Sequence, residues 1–295
     1  MKKKKKFPLG QLILHVVLIS TCLLYLIPFV LSISISLTDE GSLINDGYSI
    51  FPKVFSFDGY KMVFQNPTQI INSYVVNITY CVISTFLAVL FMSMLAYALA
   101  RKNFRFKKII AFYVLFTMLF SGGMVPSYLL ITKYLHLNDT IWVYILPGLI
   151  GAWNVIVLKT NFQNIPESLI ESAKLDGASE IYVCFKIIMP LCKPALAAIA
   201  FLYFVPKWND WMTSALYIRE PSLYSLQYLL QRILKETEFL KQLADTGGGA
   251  IDSSMFPTES LKFAMAMVAA GPVMVLFPFF QKYFAKGLTL GAVKG

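Results

Sequence analysis

The sequence predicts an all-α, polytopic membrane protein with six transmembrane helices and a charged helical segment between the fourth and fifth. Three observations carry this reading: the composition, the length of the apolar runs, and the one-sided placement of basic residues. Of 295 residues 57% are apolar and 14% charged, too little charge to cover a soluble domain of this size. A helix rises about 1.5 Å per residue, so about 20 apolar residues cross a hydrocarbon core about 30 Å thick. Six runs are long enough, at about Leu12 to Leu37, Ile70 to Ala100, Ile109 to Ile131, Ile141 to Phe162, Ile187 to Trp208 and Leu261 to Phe284. The runs are continuous rather than alternating, which specifies helices and not a barrel.

The first run follows Lys2 to Lys6 and is too long for the apolar core of a cleavable signal, so it is read as a retained span. Residues 1–11 then form a basic cytoplasmic start and residues 12–295 a single transmembrane domain. Arg101, Lys102, Arg105, Lys107 and Lys108 fill the short link after span two, and Lys282, Lys286 and Lys294 follow span six. With six spans all three basic clusters fall on one side, which the positive-inside rule makes the cytoplasm, with both termini inside. The net charge of +10 is therefore a topology signal, and a nucleic-acid partner is excluded because no basic soluble module exists to bind one. The outer side receives Thr38 to Gln69, a turn near His136 to Thr140, and Asn209 to Ser260. In that last segment Leu223, Leu226, Leu229, Leu230, Ile233 and Leu234 recur at helical spacing before Gly247, Gly248 and Gly249.

Catalytic chemistry has no footing here. His15 and His136 are the only histidines, and Cys22, Cys81, Cys184 and Cys192 show no metal-binding spacing, so neither a metal site nor a catalytic set is expected. No phosphate-binding GxxxxGK[ST] loop exists in the sequence. The six spans hold no Asp or Glu, the residues that ion-coupled carriers place in the membrane. Lys159, Lys193, Lys207 and Lys262 stand near span ends, where a lysine can snorkel to the lipid interface. The energy for transport is expected from another subunit.

Residues 164–186 interrupt the apolar pattern. Asn164 can cap a helix, Pro166 suits its first turn, and Glu167 follows at capping-box distance. On this helix Leu169, Ile170 and Ala173 are grouped as one face and Glu167, Glu171 and Lys174 as another. Gly177 ends it, and Ala178 begins a second helical stretch toward Pro190. Between Lys159 and Lys186 four acidic residues stand against three lysines, whereas a helix lying on an anionic leaflet carries a basic face. The segment is read as docking to a protein offering arginine or lysine, with packing inside the chain as the other reading.

Glu171, Ala173, Gly177, Ile187 and Pro190 stand at the spacing of E-A-A-x3-G-x9-I-x-L-P, with Ser172 and Met189 as small departures. The sequence thereby resembles the permease subunits of binding-protein-dependent ABC importers, which carry this EAA motif. Ser121-Gly-Gly-Met-Val-Pro-Ser-Tyr128, Leu146-Pro-Gly148, Asn161-Phe-Gln-Asn-Ile-Pro166 and Pro206-Lys-Trp-Asn-Asp-Trp211 look like the carbohydrate branch, in particular the smaller permease of maltose-type systems. The resemblance covers most of the chain.

It implies the six-span fold of type I ABC importers in a bacterial cell membrane, with residues 165–175 as the coupling helix seated in an ATPase subunit. The implied ATPase-coupling residues are Glu167, Leu169, Ile170, Glu171, Ala173, Asp176, Gly177, Ala178 and Pro190. The implied partners are a second permease, an ABC ATPase dimer, membrane lipid and an extracytoplasmic sugar-binding protein. This chain binds no cofactor; ATP and Mg belong to the ATPase. For a sugar, an aromatic face stacks on the ring and amides meet hydroxyls, which points to Asn77, Trp153, Asn154 and Tyr203 as pathway residues. The alternatives are an ABC permease for a non-sugar solute and an ion-coupled carrier, which would work without any ATPase.

Overall fold

A computed structural model describes residues 9–246 and 257–292. Lys2 to Lys6, Gly247 to Gly249 and Lys294 lie outside the described residues. In chain order the helices are α1 (Leu9–Ser36), α2 (Glu40–Asp46), α3 (Asp58–Val63), α4 (Pro67–Ala100), α5 (Lys107–Leu119) and α6 (Met124–Leu129), which runs into a π turn at Leu130–Tyr134. There follow α7 (Trp142–Ile145), α8 (Ala152–Gln163), α9 (Glu167–Leu175), α10 (Glu180–Tyr182), a π turn at Val183–Ile188 and α11 (Met189–Leu191). The last are α12 (Lys193–Trp208), α13 (Met212–Tyr217), α14 (Leu226–Thr246) and α15 (Thr258–Ala292). Among the described residues the β-type pairing is one isolated bridge, Thr38 to Phe55. The chain is all-α, as its sequence predicts.

Three predicted spans are single helices long and apolar enough to cross a membrane: Gly10–Ser36, Pro67–Ala100 and Thr258–Gln281. Two others are bent. The third turns by 115° between Leu119 and Met124, where Gly123 adopts φ +87°, a conformation other residues rarely take. The fifth turns by 85° between Leu191 and Lys193, where Pro190 and Pro194 each remove a backbone donor. The fourth run, predicted as continuous from Ile141 to Phe162, is divided into the short α7 and the twelve-residue α8 by Pro147 and by Gly148 at φ +76°. Hydropathy stays high across all three breaks, so length of apolar run alone cannot reveal them.

The chain groups into two compact units, one of Met1–Pro67 with Leu230–Gly271, the other of Thr68–Leu229 with Pro272–Gly295. In the second unit α4 buries one stripe, Ser73, Asn77, Cys81, Ser84, Ala88, Met92, Ala96 and Leu99, stepping three or four residues at a time. Its opposite side, with Ile71, Val75, Val82 and Phe86, is exposed. Small side chains on the buried stripe let neighbouring backbones approach, the packing available where lipid gives no hydrophobic drive between helices. Ala88, Met92 and Ala96 join Val155 and Leu158 of α8, Ile170 of α9, Val183, Ile188 and Ile199 in one core.

The first unit is organised by a carboxylate. Glu40, only 5% exposed, accepts from the backbone N–H of Thr258 (3.0 Å), Glu259 (3.0 and 3.1 Å) and Ser260 (3.0 Å), and from the hydroxyls of Thr258 and Ser260. Those amides open α15 and have no partner inside the helix, so an anion there satisfies them and complements the helix dipole. Lys241 stands 3.6 Å from the same carboxylate. Gly59 packs beside this corner; a Cβ on it would lie 2.9 Å from the Ser260 carbonyl carbon and oxygen. Glycine is required at position 59 for that approach.

Candidate coupling helix and membrane interior

The helix α9 forms where the resemblance places the coupling helix. Its start differs from the sequence expectation: Asn164 closes α8 as its C-cap, Pro166 in extended conformation is the N-cap of α9, and Glu167 is the first helical residue. The chain between α8 and α9 is so short that Asn164 is still finishing the preceding helix. Pro166 supplies no side-chain cap. Glu167 in the first turn and Lys174 in the last complement the helix dipole.

The end of α9 is a Schellman turn. Ala178 N–H donates to the Ala173 carbonyl (2.9 Å) and Gly177 N–H to that of Lys174 (3.0 Å), with Gly177 at φ +83°. Ser179 then caps α10 by accepting from Tyr182 N–H at 3.2 Å. Asp176 is exposed as the C-cap of α9, and Pro190 lies further on, at the bend before α12.

Ile170 is the residue that buries α9, with Ala173 and Ala178 packed against the same core. Leu169, grouped with them from sequence, is instead 46% exposed. The reason is angular: successive residues turn by about 100°, so Leu169 points well away from Ile170 while Ala173 stays within about 60° of it. The charged face divides in the same way. Glu167 pairs with Lys102, and Lys174 with Glu180, while Glu171 is exposed and makes no hydrogen bond or ion pair with any described residue. Leu175 is the most exposed large apolar side chain among the described residues, at 90%.

The link between α4 and α5, read from sequence as a topology signal, also grips α9. Tyr97 in the last turn of α4 donates its hydroxyl to Glu180, and Arg101 Nε stands 3.7 Å from the same oxygen. Tyr97 and Arg101, together with Lys102, Phe162, Gln163, Ile165, Glu167 and Ile170, line a cleft of about 260 Å³. The Lys102 ammonium holds the Glu167 carboxyl below its ordinary range, and the carboxylate in turn raises Lys102. No sequence signal announced Tyr97, Arg101, Lys102 and Glu180 as partners, because they are brought together by packing rather than by helical spacing.

The four residues expected along the pathway, Asn77, Trp153, Asn154 and Tyr203, fall in one unit with unequal freedom. Asn77 is fully buried and committed: its Oδ1 accepts from the Tyr80 hydroxyl at 2.8 Å, and its Nδ2 donates to the Trp208 carbonyl at 3.4 Å. Tyr203 is buried in the core that contains Val155 of α8. Trp153 on α8 is 53% exposed and its neighbour Asn154 is half-buried. Lys207 does not snorkel outward; its ammonium donates to the carbonyls of Tyr144 (2.7 Å) and Pro147 (3.2 Å). These carbonyls are freed by the break after α7, so the lysine replaces the helical donors that Pro147 and Gly148 interrupt. Tyr144 stacks on Tyr80 with centroids 4.5 Å apart, completing a polar knot between α4, α7 and α12. Cys81, Cys184 and Cys192 are buried free thiols.

Residues 88–290 match the family described as binding-protein-dependent transport system inner membrane component. The chain is 40% identical over 270 residues to Protein LplC of Bacillus subtilis (strain 168), covering 92% of this chain and 90% of that one. It is 38% identical over 289 residues to the polygalacturonan/rhamnogalacturonan transport system permease protein YtcP of the same organism, covering 97% and 99%. Among solved structures it resembles a bacterial ABC transporter involved in import of the acidic polysaccharide alginate, at TM-score 0.76 and 26% identity, covering 95% of this chain and all of that one. With its apolar helices, its Schellman-terminated α9 and a family match over most of its length, the chain belongs to the inner membrane components of binding-protein-dependent transport systems.

Proposed function

We propose that this chain is a permease subunit of an ATP-driven importer and forms half of the translocation pathway for a carbohydrate, in particular an oligosaccharide. The other half is a second permease, the energy comes from an ATPase dimer that uses ATP and Mg, and an extracytoplasmic solute-binding protein delivers the sugar. The polysaccharides named for YtcP and for the alginate transporter support the carbohydrate class. The protein sits in a bacterial cell membrane with both termini in the cytoplasm, an orientation supported by the basic run from Arg101 to Lys108.

The observation that carries the coupling role is the state of Glu171. Two of the three charges on α9 are ion-paired within the chain, and the one that is not, Glu171, shares the outer side of the helix with exposed Ser168, Ser172 and Leu175. An exposed carboxylate with no ion pair inside the chain suits a cationic pocket on a protein, which here is the ATPase. Glu167, Ile170, Ala173, Asp176, Gly177, Ala178 and Pro190 shape and hold that helix. Along the pathway, the Trp153 ring offers a stacking face and Asn154 and Tyr203 offer hydroxyl partners, while Asn77 holds α4 to α12.

The test is purification of the complex from membranes carrying Glu171→Lys. The variant chain inserts at the wild-type level, loses its ATPase subunit on purification, and supports no ATP-dependent uptake of oligogalacturonides or of other oligosaccharides taken up by the wild type. Wild-type uptake by Glu171→Lys, or uptake that persists without any ATPase, overturns the reading.

A further inference from the structure

We propose that Glu180 is a positioning residue for transport: it clasps α9 to the end of α4, so that the two helices move as one body. The proposal rests on the reading of α9 as the coupling helix and adds the means by which motion at that helix reaches a span.

Gly177 poses the mechanical problem. At φ +83° it is the point about which α9 can swing relative to α10, and a push on α9 that rotates this one residue never reaches the membrane. Glu180 closes that freedom. Its Oε1 accepts from the Lys174 ammonium, across the glycine, and its Oε2 accepts from the Tyr97 hydroxyl. Arg101 Nε stands 3.7 Å from Oε2 with its side chain 14% exposed, and Tyr97 is 7% exposed, so the arm is shielded from water on its α4 side, while the Glu180 side chain itself is 52% exposed. Shielding strengthens such contacts and makes an unpaired member costly. The other end of α9 is tied to the same place, through Glu167 and Lys102. Between the two ties Ile170 is sunk in the core with Ala96 and Leu99 of α4. A nine-residue helix held at both ends and in the middle by the last turn of α4 and the two residues that follow it is left to move with that span.

The experiment measures that motion in the assembled complex with its ATPase. Spin labels are placed at exposed Met94 of α4 and exposed Ser172 of α9, with exposed Cys22 replaced by serine, and the distance between them is read with and without ATP and vanadate. With Glu180 intact, one distance population is expected, unchanged by nucleotide. Glu180→Ala is expected to add a second population when nucleotide binds, and a single unchanged population in that variant overturns the proposal. The exchange Lys174→Glu with Glu180→Lys restores the pair across Gly177 but sets a second cation beside Arg101 and removes the acceptor from Tyr97. It is expected to behave like Glu180→Ala, and full restoration by the exchange also overturns the proposal. Should Glu180→Ala fail to assemble, Lys174→Met, which removes only the exposed arm, is read by the same criterion. Failure of the coupling reading itself is seen separately, as a Glu171→Lys complex that keeps its ATPase whatever the label distances show.

Discussion

Replacing Glu40 with alanine is expected to open the first turn of α15. The carboxylate is 5% exposed and accepts from three backbone N–H groups, those of Thr258, Glu259 and Ser260, besides two hydroxyls. Water cannot reach the vacated site freely, so each amide loses about 1 kcal/mol of net hydrogen bonding, or about 3 kcal/mol in all. At about 1.4 kcal/mol per factor of ten, that is on the order of a hundredfold loss of protection for these amides. Hydrogen–deuterium exchange with mass spectrometry, on peptides covering residues 257–265 in detergent, reads the change directly. Glu40→Gln keeps one carbonyl oxygen as acceptor and should lose about half of the free energy, which is roughly a tenfold change in exchange. Peptides elsewhere serve as the control for global unfolding. If exchange in 257–265 of Glu40→Ala stays within about threefold of wild type, the capping role derived from this geometry is wrong.

Gly59→Ala should destabilise the first unit by about 1–3 kcal/mol, the usual cost of forcing a methyl into filled space, since the new Cβ meets Ser260 backbone at 2.9 Å and backbone cannot rotate aside; a lowered thermal midpoint in detergent checks it, and an unchanged midpoint refutes it. The Glu167–Lys102 pair gives a pH signature. Glu167 is depressed by its hydrogen bond to Lys102, so its contribution is complete above the ordinary carboxylate range and is lost as pH falls through the depressed value. Lys102 is raised, so its contribution is complete below its ordinary value and is lost only as pH climbs past the raised one. Protection of residues 165–175, corrected for intrinsic exchange, should therefore be flat through neutral and mildly alkaline pH and fall only in acid. Lys102→Met should remove the part of the acid limb due to Glu167, leaving the part due to Glu180, which burial raises but which the hydrogen bonds from Lys174 and Tyr97 lower overall.

What the sequence made legible follows from which signals are local. Hydropathy located the helices of α1, α4 and α15 because a span of about 20 apolar residues has no common soluble counterpart. It could not show which side of α4 is buried, since a helix in lipid is apolar all round. The size pattern could: Ser73, Cys81, Ser84, Ala88 and Ala96 step along one face while Ile71, Val75, Val82 and Phe86 face outward. The three breaks were legible only through glycine and proline. Pro147-Gly148, Gly122-Gly123 and Pro190 with Pro194 stood in plain view, yet a glycine or proline inside a span is often tolerated, so their presence did not require a bend. Lys207 belongs to the same lesson. Near a span end a lysine reads as snorkelling, and only the broken α7 supplies the carbonyls that turn it inward. Glu40 was illegible for a different reason: the amides it caps lie more than two hundred residues away in sequence, and no local pattern marks a long-range cap.

The coupling segment shows how one spacing can carry two assignments. Taking Ile170 as the buried direction, Lys174 lies about 40° and Glu167 about 60° away, whereas Leu169 and Glu171 each lie about 100° away on opposite flanks. Charges within about 60° of the buried direction are close enough to the body of the protein to find Glu180 and Lys102; one at about 100° is not. The i, i+4, i+7 pattern of Glu167, Glu171 and Lys174 therefore contains two internal clasps and one free carboxylate, although from sequence it reads as a single acidic face. That division changes the partner surface α9 offers. It is Leu169, Glu171, Ser172 and Leu175, one charge set among apolar and small side chains, rather than an acidic ridge. On the proposed coupling role, its complement is a single cation at the floor of an apolar cleft. An anionic lipid surface fails on the charge, and a broadly basic protein surface leaves Leu169 and Leu175 without contacts. Glu167→Gln should accordingly loosen α9 within this chain without removing the ATPase, while Glu171→Gln, which breaks no hydrogen bond or ion pair with a described residue, should weaken retention of the ATPase. A pull-down of the two variants with equal membrane insertion separates the assignments, and equal loss of the ATPase from both would return the helix to the single acidic face.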